Sequence, residues 1–340
     1  MDAPIRPHTS SRTTQSSTLL LTRNDVAQLL SLDECIEAVE HAFGMQHASK
    51  TTIAGLSVSG GGFHIKAATL EFDRPYFAAK INANFPLNRM RQGLPTIQGT
   101  IALCDAVNGY PLALMDSMEI TRLRTGAASA VAAKYLARSN SRIVTILGCG
   151  TQGCVQLQAL ARVCKPEVVF VFDIDTTRAE QMAGEMKQEL GIEIQAIRSI
   201  EAGVRASDIC VTCTPSRQTL VRKEWVKPGT FLAAVGADSE DKQEIDPQLM
   251  ASSKVVVDVL DQCVAIGDLH HAITQSLMTR TDVHGELGAV VAERIAGRES
   301  EGEIIVFDST GSALQDVAAA VRVYRKAVSA NRGVLVDFSN

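Results

Sequence analysis

Three things are missing from this chain of 340 residues. It has no basic excess: 33 Lys and Arg stand against 38 Asp and Glu, a formal net charge of −5. A nucleic-acid partner, which needs a basic face, is therefore not expected. It has no apolar run of the roughly 18 residues or more that a membrane span requires. The longest stretch, residues 101–118, is interrupted by Asp105, Asn108, Gly109 and Pro111. It also shows no apolar core near its start: residues 1–17, "MDAPIRPHTSSRTTQSS", are polar, so a secretory signal is not expected there. That segment reads as a disordered tail, and the chain as a cytoplasmic protein that meets neither nucleic acid nor membrane.

Eight cysteines in a chain of this length do not make a disulfide framework. Cys210 and Cys213 form a C-x-x-C, but "DICVTCT" has the pattern of a strand. Residues three apart on a strand point to opposite faces, so these are expected to be reduced core thiols rather than metal ligands. His270 and His271 are adjacent, which suits no common chelating spacing. No metal is expected.

The length allows about two domains, and the pattern changes style once. Residues 25–30 and 32–47 carry apolar positions at helical spacing, with Ser31 and Glu34 placed as a capping box. Strand-like runs follow, "GGFHIKAATLEF", "YFAAKINANF" and "TIQGTIALCDAVNGYPLALM", with Asn108–Gly109 as a hairpin signal. These predict a sheet of antiparallel neighbours. An alanine-rich helix is predicted to start at Asp116-x-x-Glu119 and run to about Arg138. From Arg142 short β-branched runs alternate with helical segments, the mark of a doubly wound parallel sheet. The last helix, 312–330, is expected to cross back onto the first region. The reading is thus an α/β chain: a Rossmann-type domain over 125–311, and a second α+β domain for substrate and dimerisation over 18–124 with 312–340.

The sharpest motif is "RIVTILGCGTQG", an apolar strand that stops on Gly148, Gly150 and Gly153 and opens a helix. In that context Gly148 permits the tight turn and Gly150 lets a pyrophosphate approach the backbone. Gly153 allows close helix–strand packing. The helix N-terminus adds free N–H groups and positive dipole. No lysine follows at the Walker position. The next strand, "EVVFVFD", ends on Asp173, where a carboxylate accepts the ribose 2′-OH and repels a 2′-phosphate; Ile174 follows it, not Arg. NAD is expected in preference to NADP.

Several further stretches resemble the ornithine cyclodeaminase/μ-crystallin family: "KINANFP" with "GLPT", "TRLRTGAASAVAAKYLA", "GCGTQG", "AVGADSEDKQEID" and "VFDSTGSALQDVAAA". Their order and spacing fit that family from about residue 78 to 320. The resemblance implies a homodimer with an NAD-binding Rossmann-type domain. It makes Lys80 the active-site lysine, Arg124 the residue gripping a substrate carboxylate near the cofactor, and Asp238 the acid/base. A lysine flanked by apolar residues in "AAKINANF" can indeed hold a carboxylate or polarise a C=O or C=N, and a guanidinium fork suits a carboxylate. Arg122 is then left as the helix-surface arginine. The resemblance also brings Thr96, Arg124, Thr125, Thr151, Gln152, Thr212, Val235, Gly236, Lys242 and Ser309 to the cofactor.

Two departures bear on substrate. Ornithine-utilising members carry an arginine before the first sheet, whereas "SKTTIAGLSVSGGG" has none. They also carry a Glu near "FHIKAA", where this chain has Lys66. Losing an acid and gaining a lysine argues against a terminal ammonium in the pocket. Lys66 either replaces the missing arginine as carboxylate binder or faces solvent. The expected activity is NAD-dependent interconversion of an α-amino acid and its imine or keto acid. A cyclodeaminase using catalytic NAD and a non-enzymatic ligand binder are the alternatives.

Overall fold

The computed structural model describes residues 17–338, so the expected N-terminal tail lies almost wholly outside the described residues. β1 (Thr18–Leu21) leads into α1 (Arg23–Leu29) and α2 (Leu32–Gly44). The Ser31–Glu34 capping box forms as predicted, and the stretch after Gly44 becomes a 3-10 turn instead of more α-helix. β2 (Thr51–Val58), β3 (Gly61–Glu71) and β4 (Pro75–Asn84) form an antiparallel meander. A short helix, α3 (Asn88–Gln92), precedes β5 (Ile97–Asp105), which turns at Asn108–Gly109 into β6 (Pro111–Asp116). Gly109 there has φ +79°, the left-handed conformation that such a turn demands.

α4 (Met118–Leu136) starts two residues later than the sequence predicts. Asp116 ends β6 instead, and its Oδ1 accepts from the Met118 and Glu119 N–H groups. The acidic residue does help to cap the helix, but from the strand.

Seven alternating elements follow: β7 (Ile143–Leu147), α5 (Thr151–Val163), β8 (Val168–Phe172), α6 (Thr176–Leu190), β9 (Glu193–Ala196), α7 (Ile200–Ala206) and β10 (Ile209–Thr212). A small pair, β11 (Arg217–Val221) with β13 (Gln243–Ile245), flanks β12 (Phe231–Ala234) and leads to α8 (Pro247–Ala251). Then come β14 (Lys254–Val257), α9 (Leu260–Ile266), α10 (Asp268–Thr274), β15 (Gly285–Glu286), α11 (Leu287–Val291) and β16 (Ile305–Asp308). α12 (Ala313–Ser329) and β17 (Val334–Val336) close the chain.

The strands make two main sheets. One is parallel throughout, in the order β15-β14-β16-β12-β10-β7-β8-β9, a Rossmann-type doubly wound sheet. Strand order reverses between β7 and β10, and open α/β sheets bind ligands at such a switch point. The other sheet runs β17-β1-β6-β5-β4-β3-β2. Its outer strands β1 and β17 come from opposite ends of the described chain, which no local pattern announces. α12 packs on α2 and across β3, β4 and β5. The loop 309–312 that joins β16 to α12 therefore passes directly from one sheet to the other.

Candidate active site

On a strand alternate residues share a face, so Lys80, Asn82 and Asn84 of β4 point the same way. They face the cavity beside His64 and Lys66 of β3, with Lys66 opposite Lys80 and His64 opposite Asn82. Lys80 is only 3% exposed. Its Nζ lies 2.8 Å from Oδ1 and 2.6 Å from Oδ2 of Asp316, a buried acid on α12. Arg124, buried on α4, places Nε 3.2 Å from the same Oδ1 and donates through Nη1 to Gln315. One carboxylate thus serves two cations. Shared in this way, Asp316 stays ionised despite its burial, its pKa lowered by Lys80 and Arg124. Lys80 goes the other way: burial, with Arg124 and Lys66 nearby, outweighs Asp316 and brings its pKa down to about 7.

Lys66 does not face solvent. Its ammonium donates to the carbonyls of Thr310 and Gly311, at 2.9 and 2.7 Å. Burial first, then Arg124, pushes its pKa below the ordinary lysine value. The 309–312 loop is in turn tied to the buried Asp258, which accepts from the Ser309 hydroxyl and from the Gly311 N–H. Ser309 therefore directs its hydroxyl at Asp258. These groups enclose a cavity of about 120 Å³, with Asp238 and Ile266 on the side of the Rossmann sheet.

Asp238 stands past the end of β12, at the mouth. Its side chain is 56% exposed and its Oδ1 lies 2.5 Å from the Lys242 Nζ. Lys242 is held in turn by a hydrogen bond from His271 Nε2 to its carbonyl, at 2.7 Å. The turn of Val235 and Gly236 is fixed from below by Glu244, whose Oε2 accepts the Gly236 N–H at 2.9 Å. A Cβ on Gly236 would meet Glu244 Oε2 and the Thr214 carbonyl, each at 2.4 Å. Glu244 is fully buried, and burial plus the neighbouring Asp268 raises its pKa to about 7. Asp268 accepts from the N–H groups of Glu244 and Ile245, and burial raises it to about 6. Buried carboxylates therefore underlie the turn that presents Asp238.

The glycine loop lies between β7 and α5. Gly148 has φ +107°, and a Cβ on Gly153 would fall 2.0 Å from the Gly148 carbonyl. Gly150 faces open space, with nothing within 4 Å of a Cβ built on it. No side chain caps the helix N-terminus behind it, so its N–H groups are free for an anion. The Gln152 Oε1 is buried without a partner among the described residues. Asp173, just after β8, accepts from the Cys149 N–H with Oδ2 at 2.9 Å and from the Asp175 N–H with Oδ1. Thr212, at the end of β10, is buried across the switch point. A dinucleotide fits this loop: its backbone can approach a pyrophosphate at Gly150, and the Asp173 carboxylate stands just past the next strand, hydrogen-bonded to the Cys149 N–H of the same loop. Ile174, next to Asp173, is 94% exposed and brings no cation.

A larger cavity of about 570 Å³ runs beside the loop and is walled by Thr96, Arg122, Thr151 and Gln152. It shares Ile97 and Thr121 with the smaller cavity, so the two adjoin. Thr125 spends its hydroxyl on the Thr121 carbonyl at 2.7 Å, and Arg122 pairs with Glu119 on the helix surface. The C-x-x-C thiols stay free: Cys210 is buried, and Cys213 Sγ lies within 3.4 Å of the Leu147 and Gly148 carbonyls. Among the described residues no His, Cys, Asp and Glu cluster could hold a metal.

Sequence reasoning missed Asp316, Gln315, Asn82, Asn84 and His64. A signal for Asp316 was present: in "SALQDVAAA" its helical neighbours three and four away are Ser312, Ala313, Ala319 and Ala320. An acid on an otherwise small and apolar helix face must be matched by buried cations.

The model of the ornithine cyclodeaminase/mu-crystallin family matches residues 16–331. An archaeal alanine dehydrogenase dimer with bound NAD is 39% identical and superposes with a TM-score of 0.91, covering 95% of this chain and 99% of the other. The Delta(1)-pyrroline-2-carboxylate reductase of Thermococcus litoralis, in complex with NADH and L-proline, is 36% identical with a TM-score of 0.89; it covers 94% of this chain and 100% of its own. The iminosuccinate reductase of Paracoccus denitrificans, in complex with NAD+, is 30% identical with a TM-score of 0.89, covering 95% and 100%.

Proposed function

The chain belongs to the ornithine cyclodeaminase/mu-crystallin family, and from that premise we propose that it is an NAD-dependent oxidoreductase interconverting an α-amino acid and its imine or keto acid. The observation that carries this reading is the cavity itself. Buried Lys80 and Arg124, with half-buried Lys66, face Asp238 across it, next to a loop that fits a dinucleotide.

NAD, when bound, supplies or accepts the hydride. Gly148, Gly150, Thr151, Gln152 and Gly153 would hold its pyrophosphate, and Asp173 the adenine-side ribose. Thr96, Thr125, Thr212, Val235, Gly236, Lys242 and Ser309 lie on elements that border the remainder. Lys80, Lys66 and the Arg124 guanidinium hold the substrate carboxylate, which fixes the α-carbon against the cofactor side of the cavity. Asp238 gives a proton to the imine nitrogen in the reductive direction and takes it back from the amine in the other. Its exposed position lets that proton exchange with solvent, while the burial of Lys80 and Arg124 limits the water that competes for the carboxylate.

A homodimer is part of this reading. The face of β2, β3 and β4 turned away from the site carries Leu56, Val58, Ile65 and Ile81, at 62%, 40%, 37% and 46% exposure. An apolar sheet face of this kind supports burial against a second copy. The eight free thiols suit a reducing compartment such as the cytoplasm.

The test is absorbance at the NADH band with keto acids plus ammonia or methylamine, cyclic imines, ornithine and lysine. A net change in NADH with an α-imino or α-amino acid is the expected result. Redox-neutral conversion of ornithine would establish the cyclodeaminase reading instead.

A further inference from the structure

We infer that the substrate is a short amino or imino dicarboxylate, whose side-chain carboxylate lies on His64, Asn82 and Asn84. The inference rests on the proposed reaction and adds the substrate class. Two independent features of the cavity lead to it.

The first is charge. Three cations line the wall, Lys66, Lys80 and Arg124; buried Asp316 contacts the last two, and buried Asp258, behind the 309–312 loop, acts on Lys66. Asp238 does not change this balance, because Lys242 pairs with it at the mouth. The two partners of Lys66 are backbone carbonyls, not carboxylates. Three cations thus face two buried acids, and an amino acid with one carboxylate, whose own nitrogen is cationic, leaves positive charge uncompensated in a desolvated site, which is costly. A second carboxylate offsets it.

The second is the register. Next to the Lys66–Lys80 row lies the row of His64 and Asn82, and beyond it Gly62 opposite Asn84. Successive same-face rows are about 6.8 Å apart along a strand, so the two ends of a four-carbon diacid, with a hydrogen-bond length added at each, reach donors on adjacent rows. Asn82 Oδ1 accepts the Ser117 hydroxyl at 2.6 Å, which leaves its amide N–H groups for the cavity. A Cβ on Gly99 would strike that same Oδ1 at 2.2 Å, so the strand opposite is shaped to seat this amide. Asn84 brings a buried Oδ1 with no partner among the described residues, and turning its amide plane over offers N–H instead. His64 adds a ring N–H at the open side. The small volume, about 120 Å³, holds the diacid to a short chain.

Binding and turnover test this separately. In thermal-shift and titration measurements on the protein without cofactor, succinate should bind at least tenfold tighter than propionate. His64→Leu should erase most of that ratio, and Asn84→Asp should invert it by like-charge repulsion. In turnover with NAD+, L-aspartate should exceed L-alanine at least tenfold in kcat/KM, with His64→Leu lowering the first much more than the second. Equal binding of the two acids, a ratio that His64→Leu leaves unmoved, or faster oxidation of alanine would overturn the inference while the oxidoreductase reading stands. If no amino acid is oxidised but succinate still binds through His64, the reaction is wrong and the subsite is retained.

Discussion

Burial, which outweighs the carboxylate it shares with Arg124, decides how Lys80 behaves at the residue scale. With its pKa near 7 in the free protein, Lys80 loses its charge within the working pH range. Because kcat/KM reports groups of the free enzyme, it should fall for imine reduction as pH rises through about 7. Lys80→Arg, which keeps its charge, should remove that limb even if the maximal rate is lower. Lys80→Ala and Asp238→Asn should each cut kcat by about 100-fold or more, with NADH affinity nearly unchanged, since both act on the substrate. Retention of most of kcat by either variant would withdraw that residue's role. Cofactor choice belongs to the same scale. Asp173 beside Ile174 should give at least about tenfold preference for NAD(H), roughly 1.4 kcal/mol. Asp173→Ser with Ile174→Arg should shift it toward NADP(H), as paired kcat/KM values for the two cofactors would show.

Among the elements, the loop 309–312 joins most parts of the site. Its carbonyls hold Lys66, its N–H groups hold to Asp258, and Gly311 lies under Arg124. Gly311 has φ +85°, and a Cβ there would meet the Arg124 Nη1 at 2.6 Å. Gly311→Ala should therefore displace the guanidinium and raise substrate KM about tenfold or more, about 1.4 kcal/mol of lost binding. NADH affinity should move far less; an unchanged KM would show that the loop does not seat Arg124.

The legibility of the chain follows from how local each element is. The glycine loop, the Ser31–Glu34 box, the Asn108–Gly109 turn and the alternation after Arg142 each depend on neighbours within a few residues, and all could be read. Asp316 reaches Lys80 across 236 positions, and β1 meets β17 from the two ends. No window along the sequence contains both partners of such a pair. Lys66 was undecided for the same reason: the carbonyls that hold it lie 244 and 245 residues away.

For the whole molecule, the buried ionisable groups make stability depend on pH in two directions. Glu244 and Asp268 have ordinary values of 4.5 and 3.8 when unfolded and rise to about 7 and 6 in the fold. Asp308 is raised too, by burial and by Asp268. Through that window the folded chain binds more protons than the unfolded one, so stability present at low pH is lost as pH rises to about 7. Lys80 has the opposite sign. Its folded pKa of about 7 lies below the ordinary 10.5, so stability is regained as pH rises between them. Carboxylates held low at the surface, such as Glu34 at about 2, titrate below this range and leave it unaffected. The melting temperature of the cofactor-free protein should therefore pass through a minimum near neutral pH, several degrees below its value at pH about 5. Glu244→Gln should flatten the descending side, because it removes the ionisation and keeps an oxygen acceptor for the Gly236 or Thr214 N–H. Lys80→Met, lacking the amine, should flatten the ascending side. Calorimetry from mildly acidic to mildly basic pH on the three proteins tests this, and a flat curve for the unmodified chain would mean that Glu244 and Asp268 ionise in the fold as readily as in water.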